Sequence, residues 1–451
     1  MSGCKMVLSK AVPAIHAELH GNDAEFDGVS TDSRSVRPGQ LFVALKGPSF
    51  DGHEYVGQAI KSGAVAAMVE QRLDVNAPQL IVGNCLKALG QLGSYWRWHL
   101  GLPIVAVTGS NGKTTVKEMI AAILSQSGEI YATRGNLNND IGVPLTLLSL
   151  EPKHKAAVVE MGANHAQEIS YLTQLTLPNV ALVNNAAAAH LEGFGSLEGV
   201  ANAKGEIFQG LQGKGVAVIN VDDPFADLWR GLAKGNKVVT FGLENRADVT
   251  CEWQWTPEGM GISVNTPAGE FSAQLNVIGK HNVMNALAAI AASLAMGASL
   301  EAVQAGLQTM QAVPGRLQLK KGVNGSLLID DTYNANPSSL KAALGVLAHF
   351  QGKKLVALGD MGELGAGAEQ LHHDAGEQCR EFNITQLCAV GNYSQSAVQA
   401  FGVDGHHFES HEAMVAYLEN QLDKNSILLI KGSRSMRMER IVNGLTLGTA
   451  E

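Results

Sequence analysis

The sequence predicts an α/β protein of three domains, and three observations carry that expectation. The chain has 451 residues, against about 150 for an ordinary domain, so a single core would not hold it. Short apolar runs of strand length alternate with helix-period stretches along most of it, the pattern of largely parallel sheets covered by helices. Pro103 to Gln126, reading PIVAVTGSNGKTTVKEMIAAILSQ, then sets a strand, a glycine-bearing turn and a helix in immediate succession. Composition agrees: 45% hydrophobic and 17% charged residues belong to a globular chain, not a disordered one. With 33 Lys and Arg against 42 Asp and Glu, the net charge of -9 speaks against nucleic acid or anionic membrane as a partner, so any phosphate site must be made locally. Cys4, Cys85, Cys251, Cys379 and Cys388 are odd in number, widely spaced and without a CxxC pair, which favours a reducing compartment and argues against a thiolate zinc site. The first residues, MSGCKMVLSKAVPA, hold too short an apolar run for a secretory signal. Ala286 to Leu300 is alanine-rich and falls short of the roughly 20 residues of a membrane span. A cytoplasmic protein without a membrane span is expected.

Residues 1–84 read as a small α/β unit with closely spaced turns. Its distinctive part is Ser30-Thr-Asp-Ser-Arg34 followed by Pro38-Gly-Gln-Leu-Phe-Val-Ala-Leu-Lys-Gly47. Leu41 to Leu45 is a strand candidate by its β-branched and aromatic content, Phe50-Asp-Gly-His53 a polar turn, and Tyr55 to Gly63 a helix. Hydroxyls, an arginine and a lysine around these loops suit either a polar ligand or an ordinary surface.

The region 85–312 opens with a Leu- and Trp-bearing helix and enters the phosphate-binding stretch. Ile104 to Val107 is wholly apolar, as a parallel strand buried on both faces must be. After Thr108-Gly-Ser-Asn-Gly-Lys-Thr-Thr115, residues Val116, Met119, Ile120, Ile123 and Leu124 recur on one helical face that Gly128 ends. The first turn of such a helix has free N–H groups and a positive dipole end, and Gly109 and Gly112 let the backbone approach phosphate oxygens. Ser110, Asn111 and Thr115 complete the turn, Lys113 reaches the β- and γ-phosphates, and Thr114 offers a hydroxyl to Mg2+. The generic GxxxxGK[ST] pattern is not met, because Val107 occupies its first glycine position. A second strand, Ala156 to Val159, ends at Glu160, which reads either as a metal-binding carboxylate beside the phosphate turn or as a solvated residue. A third, Val180 to Val183, leads to Asn184 through His190, where the histidine is a metal candidate or a structural group. Lys204 reads at face value as an exposed helical lysine. Val216 to Asn220 is a further strand. Alternation of Val249, Cys251, Trp253 and Trp255 with polar residues, then turns at Pro257-Glu-Gly259 and Thr266-Pro-Ala-Gly269, predicts a small antiparallel meander. Gly279-Lys-His-Asn282 and an alanine-rich helix from Asn285 follow.

Val313-Pro-Gly-Arg316 marks the last boundary, and 313–451 reads as a Rossmann-like α/β domain. Leu327 to Ile329, Leu355 to Leu358, Leu387 to Val390 and Ile427 to Ile430 alternate with helical stretches, so ligands belong at the carboxyl ends of the strands. Those ends carry Asp330-Asp-Thr-Tyr-Asn334, Gly359-Asp-Met-Gly-Glu363 and Lys431-Gly-Ser-Arg434. His372, His373, His406 and His407 have no partner at ligand spacing and read as surface residues.

Taken together these motifs resemble the Mur ligases, the ATP-dependent amide-forming enzymes of peptidoglycan precursor synthesis. Thr108 to Thr115 resembles their shortened phosphate loop, and Glu160, Asn184 to His190, Lys204, Gly279 to Asn282, Pro314 to Arg316 and Asp331 match further family positions in order. Asp32-Ser-Arg, Gly39-Gln-Leu-Phe-Val-Ala-Leu-Lys-Gly47 and Phe50-Asp-Gly-His53 resemble the uridine-binding domain of the members that add the third peptide residue and the dipeptide. The Asn-Pro-Arg motif of the former is absent. Asp330 to Pro337 and Gly135 to Pro144 resemble the dipeptide-adding member. The resemblance implies a UDP-N-acetylmuramoyl-tripeptide and D-alanyl-D-alanine as substrates, ATP and Mg2+, an acyl-phosphate intermediate, and a monomer. It implies that Glu160, His190 and a carbamylated Lys204 hold metal, with Asn282 on adenine, Arg316 on phosphate and Asp331 on the ribose side. Thr31, Asp32, Ser33 and Lys46 would hold the uridine diphosphate, and Asn136, Asn138 and Asn139 would face the muramoyl-peptide. Lys431, Ser433 and Arg434 would hold the dipeptide carboxylate.

Overall fold

A computed structural model describes residues 3–187 and 191–446; His190 lies outside them. The first sheet orders its strands Glu18–His20, Gln79–Ile81, Ala66–Val69, Leu41–Val43 and Val29–Ser30, parallel except at Glu18–His20. The second runs Lys237–Phe241, Val216–Asn220, Val180–Val183, Ile104–Thr108, Ala156–Glu160 and Ile130–Ala132, parallel throughout. Thr250–Thr256, Gly259–Thr266 and Gly269–Leu275 form the expected antiparallel meander. The last sheet orders Gln318–Lys321, Leu327–Asp331, Ser426–Lys431, Lys353–Gly359, Gln386–Val390 and Gly405–Phe408, and only its first pair is antiparallel.

The apolar strands are apolar throughout because both faces are covered. In Ile104–Thr108, Val105 and Val107 enter one core with Val116, Met119, Ile120 and Ile123 of helix Lys113–Leu124. Ile104 and Ala106 enter the opposite core with Leu89, Leu92 and Trp96 of helix Cys85–Leu100, as side chains alternating across a strand require. Helix Lys280–Ala295 packs on helix Lys113–Leu124. Residues 286–292 of that helix, alanines apart from Leu287 and Ile290, are all buried, and the small side chains let the two helices approach closely. That helix starts at Lys280, five residues before the predicted Asn285, because Gly279 at φ +97 lets the chain turn directly into it. In register, Glu160 lies opposite Val107 and Val183 opposite Thr108. Three strands therefore end together around the phosphate turn.

One surface assignment fails. His372 is fully buried on helix Ala368–Glu381. Its Nδ1–H donates to the Ala368 carbonyl at 2.6 Å and its Nε2 accepts the Met361 N–H at 2.9 Å, so the ring ties a loop to a helix. His373, His406 and His407 are partly exposed.

Candidate functional site

The phosphate turn is held from outside itself. Asn185 accepts the Asn111 N–H on Oδ1 (2.8 Å) and the Ser110 N–H on its carbonyl (3.0 Å), and Asn184 Nδ2 donates to the Asn111 carbonyl (3.0 Å) and to Asn285 Oδ1 (2.8 Å). Ser110 Oγ donates to the Ala187 carbonyl at 3.1 Å. Gly109 at φ +151 and Gly112 at φ +79 serve close approach: a Cβ on Gly112 would lie 2.3 Å from Asn285 Oδ1 and 2.6 Å from Asn184 Nδ2. Helix Lys113–Leu124 begins at Gly112 with no side chain capping it, which leaves its first N–H groups and dipole free for an anion. Lys113 folds back to donate to the Gly109 carbonyl at 2.7 Å. Burial, then the charge of Arg316, holds its pKa below the usual lysine range, with Glu160 opposing.

Around that turn the predicted groups converge. The Thr114 hydroxyl donates to Glu160 Oε2 at 2.9 Å and accepts from Arg316 Nη2 at 2.8 Å. Asn138 Nδ2 donates to the other Glu160 oxygen at 2.8 Å. Arg316 stacks over Tyr333, 4.2 Å from its centroid, and its Nε is buried with no partner among the described residues. An unspent cationic donor beside an uncapped helix start suits a phosphate group. Lys204 is not an exposed lysine: it is 2% exposed, with its ammonium nitrogen over the Phe194 ring at 5.3 Å. Desolvation, and next the Lys113 charge, lower its pKa to about 7, with Glu168 and Glu206 opposing. The sequence missed this because Phe194 and Lys113 come from other segments.

Other predicted residues already have partners. Asn282 lies on the first turn of helix Lys280–Ala295, buried, donating to the Ile278 carbonyl and accepting from Asn285. Asn139 accepts the Gly142 N–H at 2.9 Å, at the start of helix Gly142–Leu148, whereas Asn136 is exposed. Lys431, 2% exposed, donates to Asp331 Oδ2 at 2.5 Å and to the Asn334 carbonyl at 2.9 Å. Asp331 also accepts the Leu317 N–H at 3.3 Å, next to Arg316, so the pair steadies the arginine. Ser433 lies 3.2 Å from Ser435 Oγ, and Arg434 pairs with Glu439 at 3.1 Å. In the first sheet, Val29–Ser30 and Leu41–Val43 are parallel neighbours, which brings Thr31, Asp32, Ser33 and Lys46 to one edge. Arg34 grips Asp32 with both Nε (2.9 Å) and Nη2 (2.8 Å) and holds its carboxyl down at about 2. Lys46 lies 3.7 Å from Asp51. Sequence reading missed Asn285, and missed Asn336 and Ser338, which reach Asn111 from beyond the last boundary (2.8 Å each).

Three family models match successive segments: Mur ligase family, catalytic domain over residues 25–94; Mur ligase middle domain over 107–293; and Mur ligase, glutamate ligase domain over 315–434. The chain is 45% identical over 444 residues to the UDP-N-acetylmuramoyl-tripeptide–D-alanyl-D-alanine ligase of Escherichia coli, covering 98% of each. It is similar to the crystal structure of MurF from Acinetobacter baumannii, with TM-score 0.93 and 37% identity over 98% of this chain and 99% of that one. It is also similar to MurF ligase from Thermotoga maritima in complex with ADP, with TM-score 0.82 and 27% identity over 92% and 96%.

Proposed function

The chain belongs to the Mur ligase family, and we propose that within it the chain joins D-alanyl-D-alanine to a UDP-N-acetylmuramoyl-tripeptide, cleaving ATP to ADP and phosphate. The observation that carries this reading is the convergence of Lys113, Thr114, Glu160 and Arg316 at one sheet edge, in a chain similar end to end to a ligase named for that reaction. Residues 1–84 would hold the uridine end, 85–312 ATP, and 313–451 the dipeptide. No described helix is long and apolar enough to cross a membrane.

A carboxylate is a poor electrophile, so the tripeptide's terminal carboxylate first attacks the γ-phosphorus of ATP, forming an acyl phosphate and releasing ADP. Lys113, Arg316 and the N–H groups at the start of helix Lys113–Leu124 offset the charge on the transferring group, each such donor contributing about 3 kcal/mol. The dipeptide amine then attacks the acyl carbon, loses a proton, and phosphate departs. Thr114 and Glu160 fit a divalent cation, since a hydroxyl and a carboxylate already meet beside the phosphate turn. Mg2+ bound there would screen the phosphate charge that repels the incoming carboxylate. A lysine ammonium would oppose such an ion. With its pKa lowered to about 7, Lys204 has a neutral amine available to attack carbon dioxide, form an N–C bond and release one proton, leaving an anionic carbamate. His190 would be a further ligand. Arg434 and Ser433 remain the candidates for the dipeptide carboxylate, while Lys431, held by Asp331, would act through the strand ends.

The test is mass spectrometry of a reaction holding ATP, Mg2+, UDP-N-acetylmuramoyl-tripeptide and D-alanyl-D-alanine. A product heavier by the dipeptide less one water, with ADP formed only when both co-substrates are present, is expected. ATP hydrolysis indifferent to them would overturn the reading.

A further inference from the structure

Helix Lys113–Leu124 carries a second lysine, Lys117, one turn beyond Lys113 and so on the same side of the helix. It is 1% exposed. A buried ammonium is costly unless its hydrogens are used. Here one goes to the Thr133 carbonyl at 2.6 Å and another to Glu118 Oε1 at 2.7 Å.

Thr133 is where the edge strand Ile130–Ala132 releases the chain toward Asn136, Asn138 and Asn139. Its N–H still pairs with the Val158 carbonyl at 3.0 Å, and its hydroxyl accepts the Glu160 N–H at 3.0 Å. From there the loop returns to Glu160 through Asn138 Nδ2 at 2.8 Å, and the Asn138 carbonyl accepts the Gly162 N–H at 2.8 Å. A continuous path of bonds thus runs from the phosphate helix through Lys117 and Thr133 to both ends of the acceptor-facing loop and to Glu160. An apolar residue of similar length at position 117 would fill the same space and would leave the Thr133 carbonyl without its donor. Packing alone therefore does not account for the lysine.

We propose that Lys117 is a positioning residue that locks the loop 133–139 to the phosphate helix, so that the acceptor peptide and the phosphate-binding turn are held in one frame. Lys117, buried and spent on Thr133 and Glu118, acts through Thr133 and Asn138. This rests on the ligase reading above.

The experiment compares wild type, Lys117→Met, Asn138→Ala and the double variant in steady state, varying UDP-N-acetylmuramoyl-tripeptide and ATP separately. A lost hydrogen bond from a charged donor corresponds to about a tenfold effect or more. KM for the muramoyl-tripeptide is expected to rise about tenfold in Lys117→Met while KM for ATP stays within about twofold. In the double variant the loss should be less than the product of the single losses, because both substitutions break the same path. Lys117→Gln, which keeps an N–H donor on a shorter stem, should recover part of the lost affinity, and it replaces Lys117→Met if the latter does not fold. Unchanged KM for the tripeptide with activity falling only in step with folded protein, or independent multiplicative losses in the double variant, would overturn the proposal. Absence of dipeptide addition by the wild type would instead overturn the ligase reading.

Discussion

Lys204 makes a pH dependence that the fold imposes on one side chain. Its ordinary pKa of 10.5 falls to about 7 in the folded chain, chiefly through desolvation. Between those values the unfolded chain holds a proton on this amine that the native chain lacks, so burial costs stability that grows as pH falls from 10.5 toward 7 and then levels off. Lys204→Met removes that term. In carbon dioxide-depleted buffer it should raise unfolding stability at pH 7 by on the order of a few kcal/mol and have little effect above the unfolded pKa, as denaturant midpoints across pH would report. It should also abolish ligation. A variant no more stable than its parent at pH 7 would remove the buried-amine account. Nothing in Leu197–Gly205 reveals this burial, because that helix is weakly patterned and Phe194 and Lys113 reach the amine from elsewhere. Lys113 and Glu160 were legible for the opposite reason: Lys113 follows the glycine-bearing turn after one apolar run and Glu160 ends another, and adjacent parallel strands bring those ends together.

Helix Pro337–His349 shows how much of an element is written locally and how much is not. Asn336 caps it, accepting the Ser339 N–H at 2.9 Å in a capping box, with Pro337 in the first turn. Asn followed by Pro is a readable start signal. Its second bond, from Asn336 Nδ2 to Asn111 Oδ1 at 2.8 Å, joins residues 225 apart in sequence, and no local pattern encodes that. Two substitutions separate the roles. Asn336→Ala should lose about 1 kcal/mol of stability with the cap and also weaken ATP use. Asn336→Asp keeps the cap but cannot donate to Asn111, so its melting temperature should stay near the parent's while KM for ATP rises several-fold. Equal kinetics in parent and Asn336→Asp would mean that the contact with the phosphate turn is idle.

Across the molecule, the region after Val313 meets the rest of the chain both at the phosphate turn and away from it. At the phosphate turn, Arg316 reaches Thr114 while Asn336 and Ser338 reach Asn111. Away from it, Trp255 of the meander stacks on His349, with centroids 3.9 Å apart and planes 10° from parallel. The alternation of Val249 to Trp255 predicted the meander but not what its tryptophan faces, since the ring it meets belongs to another sheet's helix. Trp255→Ala isolates this second contact, because it leaves every group of the phosphate turn in place. Loss of the stack itself is worth about 0.5–1.5 kcal/mol, a small part of folding stability. It bears fully, however, on the balance between docked and undocked arrangements. If docking is needed for Arg316 and Asn336 to reach the turn, apparent ATP affinity falls in proportion to the docked fraction. KM for ATP should therefore rise several-fold in Trp255→Ala, and small-angle scattering without nucleotide should show a larger radius of gyration than the parent. Saturating ADP should bring the two radii together, because nucleotide bridging the turn and Arg316 favours the docked form. An unchanged radius with an unchanged KM would show that the remaining contacts, at the phosphate turn and around Ile278, hold the two parts together without the Trp255 stack.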